Sequence, residues 1–216
     1  RGTSAGGLDV VLGELQTALT GGADAASVGA ELFAVAGILR SEPSLRRIAT
    51  DMSVATEAKQ TLAAEIFGGK VSEATLGLLR SALSRRWTAT RDLADALEHV
   101  GVVAVVRSAD ADSARLADEL FGFGQVVSGN PELRDALSDR SRSIADKGTL
   151  LRSLLEGKAL AATVALAEQA LQGSYRTVGA ALTAFQQVAA DVHEQKIATV
   201  HVARPLGDAE RSRLMA

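Results

Sequence analysis

The chain has 216 residues, 47% of them hydrophobic and only 3% aromatic. This composition predicts helices packed closely through Ala, Leu and Val, because Ala and Leu lose little side-chain freedom in a helix. The formal net charge of −3 argues against a nucleic-acid-binding protein, and the absence of cysteine excludes disulfides, thiolate metal sites and cysteine nucleophiles.

The first half of the chain predicts a series of helices separated by glycine and proline. Apolar residues over 8–19 recur at helical spacing, and a glycine pair at 21–22 ends this helix. Asp24 is a suitable cap for the next helix, which we expect to run to about residue 40. Pro43 restarts the chain, because proline suits a first helical turn but not a helix interior. Further helices are expected at about 44–50, 55–67, 72–85 and 87–95.

The second half repeats the first at a distance of 88 residues. Pro131, for example, lies 88 residues after Pro43. Residues 31–84 and 119–172 are identical at 18 of 54 positions without a gap. Because the matches include the proline, glycine and lysine residues that punctuate the helices, we interpret the pattern as an internal duplication.

The duplication divides the chain into a first helical bundle at 1–95 and a second at 96–196, and we expect each to fold by itself. The run 102–106 is β-branched and compatible with a short strand, but its register opposite the helix at 14–18 favours a helix. After the second bundle, apolar and polar residues alternate as in a strand. A break and a helix with an Asp cap follow. Residues 197–216 therefore predict the beginning of a C-terminal domain, a strand and then a helix.

Three motifs of the second half resemble one known family. Asn130-Pro131-Glu132-Leu133-Arg134 leads to Lys147-Gly148-Thr149-Leu150-Leu151, and a long amphipathic helix then runs into the exit Ala203-Arg204-Pro205-Leu206. This order resembles the delta subunit of F-type ATP synthases, called the oligomycin-sensitivity-conferring protein in mitochondria. That family has a six-helix N-terminal bundle, then a strand that ends in a small residue, any residue, Pro and Leu.

A doubled bundle is most similar to the fused b–delta subunit of mycobacteria and related actinobacteria, in which a stalk helix and a delta-like part share one chain. The resemblance implies an all-α fold of two tandem six-helix delta-type bundles, followed by the start of a small α/β C-terminal domain. A chain that begins at Arg1 also predicts a longer parent polypeptide, and the resemblance to the fused subunit implies that this parent chain is anchored in the membrane. The segment itself has no apolar run near the roughly 20 residues that span a bilayer, so we expect no direct insertion.

The resemblance implies a structural role and no catalytic one. In the family, the delta subunit joins the catalytic head of the proton-translocating synthase to the b-type peripheral stalk, so that the head does not turn with the rotor. We therefore expect the N-terminal helices of alpha subunits and a b-type stalk subunit as partners. The expected location is the cytoplasmic face of the cell membrane, within a membrane-bound complex.

The family also implies where a partner helix binds. Its groove between the first and fifth bundle helices takes an amphipathic helix from an alpha subunit, which is helix-in-groove recognition. In the second bundle these helices correspond to about 98–107 and 160–172. The candidate groove residues are Val102, Val105, Val106, Leu166, Ala170 and Leu171 in the second bundle, and Val11, Leu15, Leu78, Ala82 and Leu83 in the first. Most of these side chains are equally suited to a core, and the sequence leaves that alternative open.

Two other functional classes remain. A helical-repeat adaptor unrelated to the synthase would also explain the duplication. A small enzyme would need polar groups that converge in a pocket, and the sequence shows no such set. The three histidines, His99, His193 and His201, do not share metal-ligand spacing on one helix face. We therefore predict no catalytic residue, no cofactor and no metal ligand.

Overall fold

The computed structural model describes residues 2–196, and all regular structure within them is helical. The all-α prediction is confirmed for this part of the chain. The predicted strand and helix at 197–216 lie outside the described residues. The helices are α1 (Thr3–Thr20), α2 (Ala25–Ser41), α3 (Pro43–Thr50), α4 (Thr56–Phe67), α5 (Glu73–Leu83), α6 (Asp92–Ser108), α7 (Ser113–Gly129), α8 (Pro131–Ser138), α9 (Ile144–Leu155), α10 (Ala161–Gln169) and α11 (Val178–Lys196), with a short 3-10 turn at Asp110–Asp112.

Polar caps and prolines begin several helices where the sequence predicted. Asp24 accepts hydrogen bonds from the backbone N–H groups of Ala26 and Ser27 and so caps α2. Pro43 and Pro131 occupy the first turns of α3 and α8, where the missing N–H costs no helical hydrogen bond. The local sequence thus decides where these helices start.

The helix boundaries repeat the 88-residue shift of the sequence. Helices α7, α8, α9 and α10 begin 88 residues after α2, α3, α4 and α5, respectively. A polar anchor repeats with them, since Glu31 accepts a hydrogen bond from Thr75, and Glu119 accepts one from Thr163. Both threonines are fully buried. The same contact therefore joins the second helix of each copy to its fifth.

Helix α6 corrects the prediction for the junction of the two copies. The sequence predicted separate helices at about 87–95 and 98–107, whereas the structure has one helix that begins only at Asp92 and continues to Ser108. The run 102–106 lies within it and is helical, as its register predicted. Helix α6 ends 88 residues after α1 and begins 86 residues before α11. It is therefore the sixth helix of the first copy and also the first helix of the second.

We call α1–α6 bundle 1 and α6–α11 bundle 2, with α6 belonging to both. Helices α1 and α2 pack on α6 from bundle 1, and α10 and α11 pack on it from bundle 2. A helix that serves two cores must be apolar on most of its surface, and α6 buries 12 of its 17 residues. This central position explains its β-branched sequence. The boundary expected at 95 and 96 falls within its first turn.

Candidate functional site: the outer faces of α1 and α6

The candidate groove residues lie in the core. Ten of the eleven side chains are buried, with exposed fractions of 5% or less, and Leu171 is partly buried. A partner helix would lie over these side chains and could touch few of them directly. The sequence could not separate the two roles, because a groove wall and a core both require apolar residues at helical spacing.

Four exposed residues form a stripe along the outside of α1. Gly6, Val10, Gly13 and Thr17 follow the spacing i, i+4, i+7 and i+11 of one helix face, and all four are exposed. Val10, a large apolar side chain, is 39% exposed. We call these four residues the α1 stripe. Helix α1 packs against both α5 and α6, and Gly13 of the stripe lines a groove with residues of α6 and α11.

The equivalent residues of bundle 2 are buried. Ala94, Glu98, Gly101 and Val105 lie 88 residues after the members of the α1 stripe, and we call them the α6 stripe. All four are buried, Glu98 and Val105 with only 2% of their surface exposed. The two copies therefore differ at this face, although their helices match in position.

Helix α2 covers the α6 stripe through a contact between two glycines. A Cβ atom on Gly101 would lie 2.8 Å from the ring of Phe33, and one on Gly29 would lie 3.0 Å from the carbonyl oxygen of Gly101. Only glycine lets the two backbones approach this closely without strain. At the other end of the contact, the guanidinium of Arg40 donates to the carbonyl oxygen of Ala94 at 3.4 Å. Helix α2 thus follows the stripe along most of its length.

A buried carboxylate joins α2, α6 and α10. Glu98 accepts a charge-assisted hydrogen bond from Arg40 of α2, with 2.6 Å between Nη2 and Oε2. It accepts a second from Gln169 of α10, at 2.7 Å from Nε2, and a third from the backbone N–H of Ser174, at 3.0 Å. A buried charge needs such partners, because its desolvation is costly. Sequence reasoning missed this network; its one signal is a carboxylate within an apolar run.

Two grooves flank α6. The larger has a volume of about 690 Å³ and lies between α2 and α10, with Ala34 and Ala165 on its walls and Val105 at its base. The smaller has a volume of about 330 Å³, lies between α1, α6 and α11, and is lined in part by His99 and Arg107. Burial lowers the pKa of His99 below its ordinary value of 6.5, and the nearby Glu98 only partly opposes this shift.

The described residues show neither a metal-binding cluster nor a membrane-spanning helix. Within 2–196 no group of three or more His, Asp or Glu side chains is placed to hold a metal ion. Among the helices described, none is long and apolar enough to cross a bilayer. The polar groups that converge at Glu98 hydrogen-bond one another across three helices. The open groove beside α10 is lined mainly by small apolar side chains, whereas the groove between α1, α6 and α11 also carries His99, Arg107 and Asp191.

The sequence is similar to a family of ATP synthase subunits. The sequence model of the family described as ATP synthase delta (OSCP) subunit matches residues 102–216. A protein of Nocardioides sp. named ATP synthase subunit delta is 53% identical over 88% of this chain and 69% of its own length. Proteins of the same name from Nocardia farcinica and Thermobifida fusca are each 40% identical, over 94% and 90% of this chain and 76% and 73% of their own lengths. The chain therefore belongs to the ATP synthase delta (OSCP) subunit family, whose members are structural and non-catalytic parts of the synthase.

Proposed function

We propose that this chain is the connector between the catalytic head and the peripheral stalk of a proton-translocating F-type ATP synthase. It binds the N-terminal helices of alpha subunits on one side and a b-type stalk subunit on the other, so that the head resists the torque of the rotor. Membership of the delta family makes the chain a peripheral-stalk subunit of a membrane-associated complex. The finer location that we propose is the cytoplasmic face of the cell membrane, with the parent chain a b–delta fusion anchored in it.

The shared helix α6 is the observation that carries this proposal. A connector under torque must not bend between its parts, and separate bundles joined by a linker move relative to each other by default. Here one continuous helix carries helices of both bundles, and Glu98 ties α2 of bundle 1 to α10 of bundle 2 through buried hydrogen bonds. We propose that the two bundles, which share α6, act as one stiff body.

The partner helix docks, in this proposal, over a wall made by the buried candidate residues. Val11, Leu15 and Leu78 in bundle 1 hold α1 and α5 together, and the guest helix contacts exposed residues such as Val10 above them. Helix-in-groove recognition of this kind buries an apolar stripe of the guest. The alternative of an adaptor unrelated to ATP synthase does not fit relatives that are named ATP synthase subunit delta.

A peptide of the alpha-subunit N-terminal helix from the same synthase tests the docking. We expect Val10→Asp to weaken its binding at least tenfold, about 1.4 kcal/mol, because a carboxylate would be desolvated under the guest. The measurement is isothermal titration calorimetry. Val126→Asp, at a valine of α7 that is 54% exposed, is the matched control and should leave the affinity unchanged.

Two outcomes would count against the proposal. A wild-type chain that does not bind the peptide would contradict the function itself. Equal affinities of the Val10 and Val126 variants would contradict the position of the groove. Val105→Asp is not a suitable probe, because a charge at this buried position would test folding and not binding.

A further inference from the structure

Four arginines lie close together in the sequence where bundle 1 passes from α5 to α6. Residues 74–91 contain Arg80, Arg85, Arg86 and Arg91 and no acidic residue, in a chain whose net charge is −3. Arg85, Arg86 and Arg91 are exposed, and Arg80 is partly buried. We call these four residues the basic cluster. It gives this connection four positive charges and no negative one.

Carboxylates of the described chain do not neutralise the basic cluster. The ion pairs within residues 2–196 involve other arginines, which are Arg40, Arg115, Arg142 and Arg152. Asp92, the first carboxylate after the cluster, accepts hydrogen bonds from the hydroxyl of Ser4 and from the backbone N–H of Ala89 instead. The guanidinium groups of the exposed arginines are therefore open to a partner.

The fold does not require these arginines, because bundle 2 makes the same connection without them. Their counterparts 88 residues later are Glu168, Gly173, Ser174 and Gly179, and none of them is basic. Helices α10 and α11 nevertheless form on either side of that connection. Like charges at short separation repel one another, so the basic cluster opposes folding of the free chain. Its charge therefore indicates a role at the surface of bundle 1.

The backbone that carries the basic cluster is held in place. The ring of Trp87 is only 9% exposed and lies against Gly7 of α1, and its indole N–H donates to the carbonyl oxygen of Ala82 at 2.9 Å. The backbone N–H of Thr88 donates to the hydroxyl of Ser4 at 2.8 Å. A connection fixed in this way loses little conformational freedom when a partner binds.

We propose that the basic cluster binds an acidic segment of a partner polypeptide. Residues 74–91 contain four arginines and no lysine. The planar guanidinium of arginine donates two parallel hydrogen bonds to one carboxylate, which the ammonium of lysine does not. This inference goes beyond the proposed function, since it concerns the connection between α5 and α6 and does not depend on which protein supplies the acidic segment.

Two other anionic partners fit this surface less well. A lipid surface usually takes up apolar side chains together with the cations, and residues 74–91 contain none of the large apolar side chains that are exposed. Single-stranded nucleic acid stacks its bases on aromatic rings, and Trp87, the one aromatic residue of this segment, is buried. A polypeptide that presents carboxylates needs neither feature.

A fluorescent oligoglutamate peptide tests the proposal on the whole chain, with fluorescence anisotropy at low ionic strength as the measurement. The variant Arg85→Gln, Arg86→Gln, Arg91→Gln should bind the peptide at least tenfold more weakly than the unaltered chain. Binding by the unaltered chain should weaken as salt is added, because salt screens exposed charges. Circular dichroism of the variant checks its fold, which these exposed positions should leave intact.

The matched control is Arg134→Gln, Arg140→Gln, Arg142→Gln. It removes the same number of charges from exposed positions on α8 and the connection after it, where acidic residues lie among the arginines. The control should keep the affinity of the unaltered chain within about twofold, since its arginines have acidic neighbours that compete for them.

Three results would overturn the proposal. The first is an unaltered chain that does not bind the peptide, or a folded cluster variant that binds it equally well. The second is an equal loss of affinity in the two triple variants, which would reflect net charge alone. The third is tighter binding to vesicles of phosphatidylcholine and phosphatidylserine, or to oligothymidine, than to the peptide at the same ionic strength, which would assign the surface to a lipid or to a nucleic acid.

Discussion

Gly13 and Gly101 are equivalent in sequence, and we expect opposite effects from the same substitution. Gly13→Ala should raise the free energy of unfolding by about 0.5–1 kcal/mol, because alanine favours the helix and the added methyl group meets open space. Gly101→Ala should lower it by about 1–3 kcal/mol, because its Cβ would lie 2.8 Å from the ring of Phe33. Urea unfolding of the two variants measures both changes.

Gly122→Ala is the control for this pair, since Gly122 is exposed on α7 and an added Cβ there also meets no described atom within 4 Å. It should behave as Gly13→Ala does. A destabilised Gly13→Ala with a stabilised Gly122→Ala would mean that the α1 stripe is covered in the free chain. Glycine at an open helical position is a cost to stability in both helices.

His99 should make the chain less stable as the pH falls from about 7.5 to about 5.5. Its pKa is lowered in the folded chain, mainly by burial, so the unfolded chain binds more protons in this range. The contribution is therefore present above the ordinary pKa of 6.5 and is lost as the pH falls towards the lower folded value. The melting temperatures of the wild type and of His99→Gln at both pH values measure this contribution. Between the two pH values, the melting temperature of the variant should fall less than that of the wild type.

Two partly buried carboxylates, Glu31 and Glu119, lose their contribution only below this pH range. Burial alone would raise the pKa of Glu31, but hydrogen bonds from Thr75 and Ser72 outweigh it and hold the pKa below 4.5. Glu119 has the same balance, with Thr163 as its main donor. Stability from these carboxylates is lost only as the pH falls below about 4.5. Equal falls in the melting temperatures of the wild type and of the His99 variant between the two pH values would show that His99 is not the cause.

Helix α6 decides, at the scale of elements, which fragments can fold. A fragment of residues 1–95 contains the five helices α1 to α5 but lacks most of α6, on which α1 and α2 pack. We expect it to unfold without a cooperative transition, whereas a fragment of residues 1–110 should melt cooperatively. Thermal melts followed by circular dichroism compare the two. This revises the expectation of two units that fold by themselves, and similar cooperative melts for both fragments would restore it.

The elements themselves were largely predictable from the sequence, and their assembly was not. The glycine pair at 21–22, the cap at Asp24 and the prolines at 43 and 131 act on their own backbone, so their effects need no tertiary structure. The start of α6 at Asp92 was missed, because the chain between α5 and α6 has no proline or glycine to mark its end. The predicted break near residue 96 rested on the 88-residue register, which gives each copy its own first helix and cannot show that one helix serves both copies.

At the scale of the whole molecule, the duplication places one helix, α6, in two bundles at once. Because α6 is also the first helix of bundle 2, its outer face is buried under α2. The family match that begins at residue 102 lies within α6, which is consistent with bundle 2 as the delta-type bundle. Bundle 1 is then the copy that carries the open α1 stripe.

The sequence by itself determined the helical content, the 88-residue repeat, most helix starts and the family. These depend on local propensity, on punctuating residues and on motifs within one segment. Only the tertiary structure decided that α6 is shared, that the candidate groove residues are core, and that Glu98 lies between Arg40 and Gln169. The physical reason is that an apolar stripe shows that a face is buried and cannot show which helix buries it. Gly13 and Gly101 have the same register, and only the position of α2 distinguishes them.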